Sequence, residues 1–312
     1  LGGRELGGRE LGGRELGGLR VGTRGGFLGR RGHGTSQRLA GVMSGQGQDE
    51  WKRRHGNIDV YTVKALQDNY VFILHEWKNN KVAVVDPGEA KPVSDKLQAL
   101  GLPLDCILTT HHHWDHTDGN LALKSQFDCK VYGFGGDKGR IPGITDELRE
   151  GSQLEFGGEP VEIFQTDGHT VGHICFYFPQ SKMAFVGDTL FVMGCGRLFE
   201  GTPKQMHESL QKLAANLPEN TTVYCAHEYT MSNAKFAVTV DSSNEDLRER
   251  YREIESLRAQ DRKTVPTTME MELKTNPFLR CGDPDLKSCI GMESEQDEGK
   301  VFARVRELKD NF

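Results

Sequence analysis

Residues 104–120 read LDCILTTHHHWDHTDGN. A short apolar run of strand character closes on two threonines. The twelve residues from Thr109 to Asn120 then hold four histidines and two aspartates. Histidine favours neither strand nor helix strongly, so local propensity gives no reason for such a cluster. Within it, His111, His113, Asp115 and His116 form the pattern H-x-H-x-D-H. Alternate residues of an extended segment point the same way, which lets His111 and His113 share one ion. A turn after Trp114 would let Asp115 and His116 face a second ion nearby. Imidazole and carboxylate donors together suit zinc, iron or manganese.

Three further candidates end or follow later apolar strands: His169 in TDGHTVGH, Asp188 in FVGDTLF and His227 in YCAHEY. Strand-end loops are where a rigid scaffold carries reactive groups. Seven donors divide naturally, with His111, His113 and His169 around one ion and Asp115, His116 and His227 around the other. Asp188, which has two carboxylate oxygens, would bridge them. Water held between two cations loses a proton near neutral pH, so this donor set points to hydrolysis, with Asp115 and Asp188 as the catalytic carboxylates. His112 alternates away from the cluster, and His173 begins a strand, where a structural hydrogen bond is expected. His33, His55, His75 and His207 have no partner motif.

The rest of the chain frames this site. Strands are expected in IDVYTVKAL, YVFILHE, KVAVVDPG, KVYGF, VEIFQT, HICFYF, KMAFVGD and TVYCAH, and helices in KPVSDKLQALG, NLALKSQF and PKQMHESLQKLAANL. Strand-rich halves with interspersed helices predict two sheets with helices packed outside. After about Tyr229 the strands stop. NEDLRERYREIESLRAQ and KVFARVRELKDNF are helical by period, giving a smaller helical domain over 229–312 behind a catalytic domain over 57–228. The first 56 residues, with the repeat LGGRELGGRELGGRE, are too rich in glycine for a helix and are expected to be a disordered tail. Five arginines and no acid lie between Glu15 and Asp49, a bias shared by mitochondrial transit peptides, and Met43 is an internal candidate start.

Bulk properties exclude several classes. A net charge of −6 argues against a nucleic-acid binder, and no stretch approaches 18 consecutive apolar residues. The seven cysteines are odd in number, form no C-x-x-C pair and mostly sit in apolar runs, so they read as free buried thiols of a reducing, cytoplasmic compartment. A monomer is the default. A transit peptide in the arginine-rich segment would instead direct the chain to mitochondria.

The motifs THHHWDH, GHTVGHI, GDTLF, GCGRLFEGT, HEYT and NPFLR together resemble the metallo-β-lactamase superfamily and, more narrowly, the hydroxyacylglutathione hydrolases (glyoxalase II). The resemblance runs from about Asn57 to Phe312. It implies an α+β fold, an αββα sandwich followed by a smaller helical domain that helps hold glutathione. It also implies hydrolysis of S-D-lactoylglutathione to D-lactate and glutathione in methylglyoxal detoxification, with two divalent metal ions, zinc foremost and iron or manganese as alternatives. The family's metal ligands fall on the seven donors above. Its glutathione contacts fall on Arg197, Tyr229, Arg306 and Lys309. Phe199 stands where the family often has tyrosine, so one hydroxyl contact to the tripeptide is missing. Rival readings are a persulfide dioxygenase with one iron, a phosphodiesterase or nuclease of the superfamily, and an RNA-binding role for the Gly/Arg tail.

Overall fold

A computed structural model describes residues 51–312 of the chain. The first sheet runs in chain order: β1 (Lys52–His55), β2 (Ile58–Ala65), β3 (Asn69–Glu76), β4 (Lys81–Val85), β5 (Cys106–Leu108), β6 (Lys130–Phe134) and β7 (Asp146–Leu148). β1 to β4 form an antiparallel meander, whereas β4 to β7 are parallel. The β4–β5 crossover is made by helix α1 (Ala90–Leu100). The β5–β6 crossover contains α2 (Trp114–Thr117) and α3 (Asn120–Phe127). α1 stops where the sequence says it should: Gly101 takes φ 64° and its N–H caps the last turn.

The second sheet has the order β15-β14-β11-β10-β9-β8. It comprises β8 (Leu154–Phe156), β9 (Glu159–Gln165), β10 (Ile174–Phe178) and β11 (Met183–Gly187). After the small hairpin β12 (Leu190–Phe191) and β13 (Gly194–Cys195) come β14 (Thr222–Cys225) and β15 (Thr267–Thr268). β11 and β14 are parallel and are joined through α4 (Pro203–Asn216), which opens on a capping box between Thr202 and Gln205 with Pro203 behind it.

Alternation along β3 shows how the layers assemble. Tyr70, Phe72 and Leu74 point into the core between the sheets, beside Phe176, Phe178, Phe185 and Tyr224. Val71 and Ile73 point the other way, onto Val93 and Leu97 of α1 and Leu123 of α3. A strand buried on both faces must read as a nearly unbroken apolar run, as YVFIL does. α4 buries Met206, Leu210 and Leu213 against the second sheet's core, completing the αββα order. The helical region supplies α5 (Thr230–Val240), α6 (Glu245–Ala259), α7 (Met269–Thr275), α8 (Pro284–Cys289) and α9 (Glu298–Asp310). Its residues Phe236, Phe278, Phe302 and Val305 join the same continuous core, and the described residues form one compact unit.

Two expectations need correction. The tail was expected to run to residue 56, but Lys52–His55 is already an edge strand; residues 1–50, with the repeat and the candidate transit segment, lie outside the described residues. A charged edge strand is readily tolerated because one face meets water. Arg54 forks onto Asp59 at 2.6 and 2.9 Å, while His55 turns inward to Tyr224 Oη at 2.7 Å. Strands also continue past Tyr229: β15 pairs antiparallel with β14 and ties the helical region to the sheet. Of the cysteines, only Cys289 is exposed, and all seven are free. Among the described residues no helix is long and apolar enough to cross a membrane.

Phe185 is fully buried and its ring lies 4.9 Å from Tyr224 and 5.5 Å from Phe72. Phe185→Ala is expected to cost about 3–5 kcal/mol. Trp77→Ala, at a half-exposed position, should stay within about 0.5 kcal/mol of the parent; denaturant midpoints compare the two.

Candidate metal centre

In open sheets ligands gather beyond the carboxyl ends of parallel strands. β4 and β5 are parallel neighbours in one sheet, as are β11 and β14 in the other, and all four end at the same edge of the sandwich. Asp86 follows β4, His111–His116 follow β5, Asp188 follows β11 and His227 lies just past β14. His169 joins them from the β9–β10 loop. Seven donors scattered over more than a hundred residues therefore converge.

The two groups read from spacing are present. His113 Nδ1 lies 3.1 Å from His111 Nε2 and 3.0 Å from His169 Nε2. On the other side, His227 Nε2 is 3.4 Å from His116 Nε2 and 3.5 Å from Asp115 Oδ2. Asp188 sits between them. Its Oδ1 is 3.5 Å from His116 Nε2 and 3.4 Å from His227 Nε2, and its Oδ2 is 3.4 Å from His169 Nε2. The turn that separates the groups is α2, which begins at Trp114 and carries Asp115 and His116 around to the second group.

Hydrogen bonds to the opposite ring nitrogens set which nitrogen each imidazole turns inward. His227 Nδ1–H donates to Asp68 Oδ1 at 2.8 Å, His116 Nδ1–H to Asp86 Oδ2 at 3.1 Å and His169 Nδ1–H to the Arg197 carbonyl at 2.8 Å. Thr110 Oγ1 spends its proton on Asp86 Oδ2 at 2.7 Å, so it accepts from His111 Nδ1–H at 3.1 Å. Each of these rings then turns Nε2 inward, the nitrogen that would hold a cation. Asp188 Oδ1 is buried with no hydrogen-bond partner among the described residues. Such a donor set fits two divalent cations.

Titration differs between the two groups. Burial, reinforced by the neighbouring imidazoles, drives His111 well below the ordinary histidine range and His113 down to about 4. At Asp188 burial favours the neutral acid, but His227, His116 and His169 outweigh it and hold the carboxyl at about 2. For His116 burial also opposes charge, yet Asp188 and Asp86 raise it to about 9. Between three carboxylates, positive charge is favoured.

His112 and His173 behave as expected. His112 turns away to Asp137 at 3.2 Å. His173 Nε2 accepts the Asp188 backbone N–H at 3.1 Å and its ring stacks on His111. The orienting groups Asp68, Asp86, Thr110 and Asn69, whose amide reaches Asp115 Oδ2 at 3.2 Å, were not legible in advance. A faint signal existed for two of them: QDN and DPG each place an aspartate at a strand end.

A cavity of about 650 Å³ opens beside His169 and Asp188. Arg197, Phe199, Tyr229, Arg306 and Lys309 all line it. Tyr229 lies flat on His227 with ring centroids 4.6 Å apart, and Phe199 stands edge-on to His113 and His169. The two cations of α9 differ. Arg306 is buried and committed, with Nη2 at 2.7 Å from Asp310 Oδ1 and Nη1 donating to the Cys195 carbonyl at 3.2 Å. Lys309 keeps its ammonium at the pocket wall, donating to Ser232; burial, then Arg306 and Arg197, lower it to about 8.

Residues 63–227 match the profile of the metallo-beta-lactamase superfamily, and residues 228–312 match that of the hydroxyacylglutathione hydrolase C-terminus. A solved structure, TTHA1623 in a di-iron-bound form, superposes with a TM-score of 0.52 at 26% identity, covering 70% of this chain and 99% of that one. Fold and donor set thus define the class, a two-sheet metallohydrolase scaffold of the metallo-β-lactamase type. Over 255 residues the chain is 47% identical to the hydroxyacylglutathione hydrolase of Mesorhizobium japonicum, covering 82% of this chain and 99% of that protein. Identity to the protein of that name from Synechococcus sp. (strain JA-3-3Ab) is 50% over 254 residues, covering 81% and 99%. The chain belongs to the hydroxyacylglutathione hydrolase family.

Asp68 orients a ligand of one group, whereas Asp86 serves both groups through His116 and through Thr110 to His111. Asp68→Ala should weaken one ion by about 10–100-fold, and Asp86→Ala should weaken both. Competition with a chromophoric chelator, counting ions released per chain, separates the two patterns.

Proposed function

We propose that this chain hydrolyses S-2-hydroxyacylglutathione thioesters, S-D-lactoylglutathione foremost, to a 2-hydroxy acid and glutathione. The observation that carries the reading is the adjacency of two features. A donor set split by one bridging carboxylate opens directly into a pocket whose far wall is the family-specific helical region. Two divalent ions, when bound, supply Lewis-acid charge and lower the pKa of water to near neutrality. Zinc is the proposed occupant; iron and manganese also suit these donors.

The chain's own residues do the remainder. Glutathione carries two carboxylates, and the pocket offers Arg197 and the Lys309 ammonium as partners for them. Arg306 supports the pocket from behind, holding the Cys195 carbonyl and Asp310 and lying over the Phe278 ring. Tyr229, clamped flat on His227, and Phe199, edge-on to His113 and His169, flank the position where the thioester carbonyl must lie. Phe199 offers an apolar edge and no hydroxyl. Addition of water oxygen to the carbonyl carbon breaks the C–S bond, and the departing thiolate takes up a proton or leaves as the anion.

Purified protein incubated with S-D-lactoylglutathione should lose thioester absorbance and contain about two divalent ions per chain; two ions without turnover would send the search to other thioesters. The pH dependence follows from Lys309. Its ammonium is present below about 8 and lost above it, so attraction for a carboxylate weakens as pH rises through that value. kcat/KM should therefore fall above about pH 8 while kcat does not follow. Lys309→Met should raise KM and remove that inflection.

A further inference from the structure

Residues 188–197 run from the bridging carboxylate to the pocket, and side chains of the helical region hold much of their backbone. Asn276 Nδ2 donates to the Phe191 carbonyl at 3.1 Å and to the Gly194 carbonyl at 3.0 Å, one on each strand of the β12–β13 hairpin. Glu272 Oε2 accepts the Met193 N–H at 2.8 Å and the Asn276 amide at 3.0 Å. Neither side chain is free to turn. Asn276 Oδ1 accepts the Phe278 N–H at 3.0 Å, and Thr267 Oγ1 donates to Glu272 Oε1 at 2.9 Å. Both residues are fully buried.

The hairpin needs this support. Met193 takes φ 54°, a left-handed conformation disfavoured for a residue with a side chain. Beyond the hairpin the fit is tight: a Cβ at Gly196 would lie 2.1 Å from the Asp188 carbonyl and 2.9 Å from His169 Nδ1. Arg197 follows at once. Its carbonyl accepts from His169 Nδ1–H, and its side chain lines the pocket. A shift of the hairpin must therefore move a metal ligand's orienting partner and a pocket cation together.

We propose that Asn276, with Glu272 beside it, is a positioning residue that fixes the β12–β13 hairpin so that Arg197 serves His169 with its backbone and the substrate with its side chain. It lines neither the metal centre nor the pocket. The substrate half rests on the thioesterase reading above; the metal half does not. Removing the amide strips two buried carbonyls of their donor in a place water does not reach.

The test compares wild type, Asn276→Ala, Glu272→Ala, Glu272→Gln and Leu247→Ala. Leu247 is fully buried on α6, makes none of the hydrogen bonds that hold the hairpin, and serves as a control for destabilisation alone. Zinc release from each holoenzyme to a chromophoric chelator is measured beside KM and kcat for S-D-lactoylglutathione, with Tm recorded throughout. Asn276→Ala should bind zinc about tenfold more weakly or worse and raise KM. Glu272→Ala should follow it in part. Glu272→Gln, which keeps an oxygen for the Met193 N–H, should stay near wild type. Leu247→Ala should lose Tm while holding zinc and KM unchanged. A folded Asn276→Ala with wild-type zinc affinity and KM overturns the proposal, as does a Leu247→Ala that reproduces the same losses. If Asn276→Ala does not fold, Asn276→Ser is read by the same measurements against the same outcomes. If wild type fails to hydrolyse the thioester, the substrate reading falls and zinc affinity alone decides on Asn276.

Discussion

Asp188 is a buried carboxylate, with one oxygen facing His116 and His227 and the other facing His169. A buried anion is costly unless positive charge meets it. Here the nearest groups are the imidazoles of His116, His227 and His169. The donors on its two sides form groups that suit divalent cations. Much of the fold serves that condition. Two sheets must end at one edge, so that loops from both reach a single carboxylate. The parallel pairs β4–β5 and β11–β14, each made by a helical crossover, are what bring those ends together.

A second ring of contacts makes the donors directional. Asp86 is shared, since His116 reaches it directly and His111 through Thr110. Asp68 and the Arg197 carbonyl hold His227 and His169. These acceptors fix each ring's tautomer and angle. The glycines of GCG belong to the same scheme. At Gly194 a Cβ would meet Asn233, and at Gly196 the Asp188 backbone, so chain 194–197 passes where only glycine leaves room. The helical region is thus continuous with the metal centre, and the division between the two matched profiles at residues 227 and 228 crosses no gap in the packing.

Much of this was legible from residue order. Apolar runs located the long strands, and Gly101 closed KPVSDKLQALG as a helix end through chemistry that acts within a few residues. H-x-H-x-D-H was legible for the same reason, because donors close in sequence must be close in space. What escaped notice depends on distant partners. β1 looks like a polar tail until Asp59 and Tyr224 are beside it, and β15 is two threonines until β14 runs past them. Arg306 falls among the glutathione contacts that the resemblance implies, and the fold also turns it onto Asp310 and the Cys195 carbonyl.

The sequence by itself determined most of the long strands and helices and the types of donor close to one another in the chain, because periodicity, capping and ligand spacing are local properties. Only the tertiary structure decided which acceptors orient the imidazoles, which α9 cation keeps its charge at the pocket, and how Asn276 and Glu272 grip a hairpin some eighty residues away in the chain. Those relations are contacts between segments far apart in sequence. No local preference encodes them, and burial turns them from weak surface interactions into constraints.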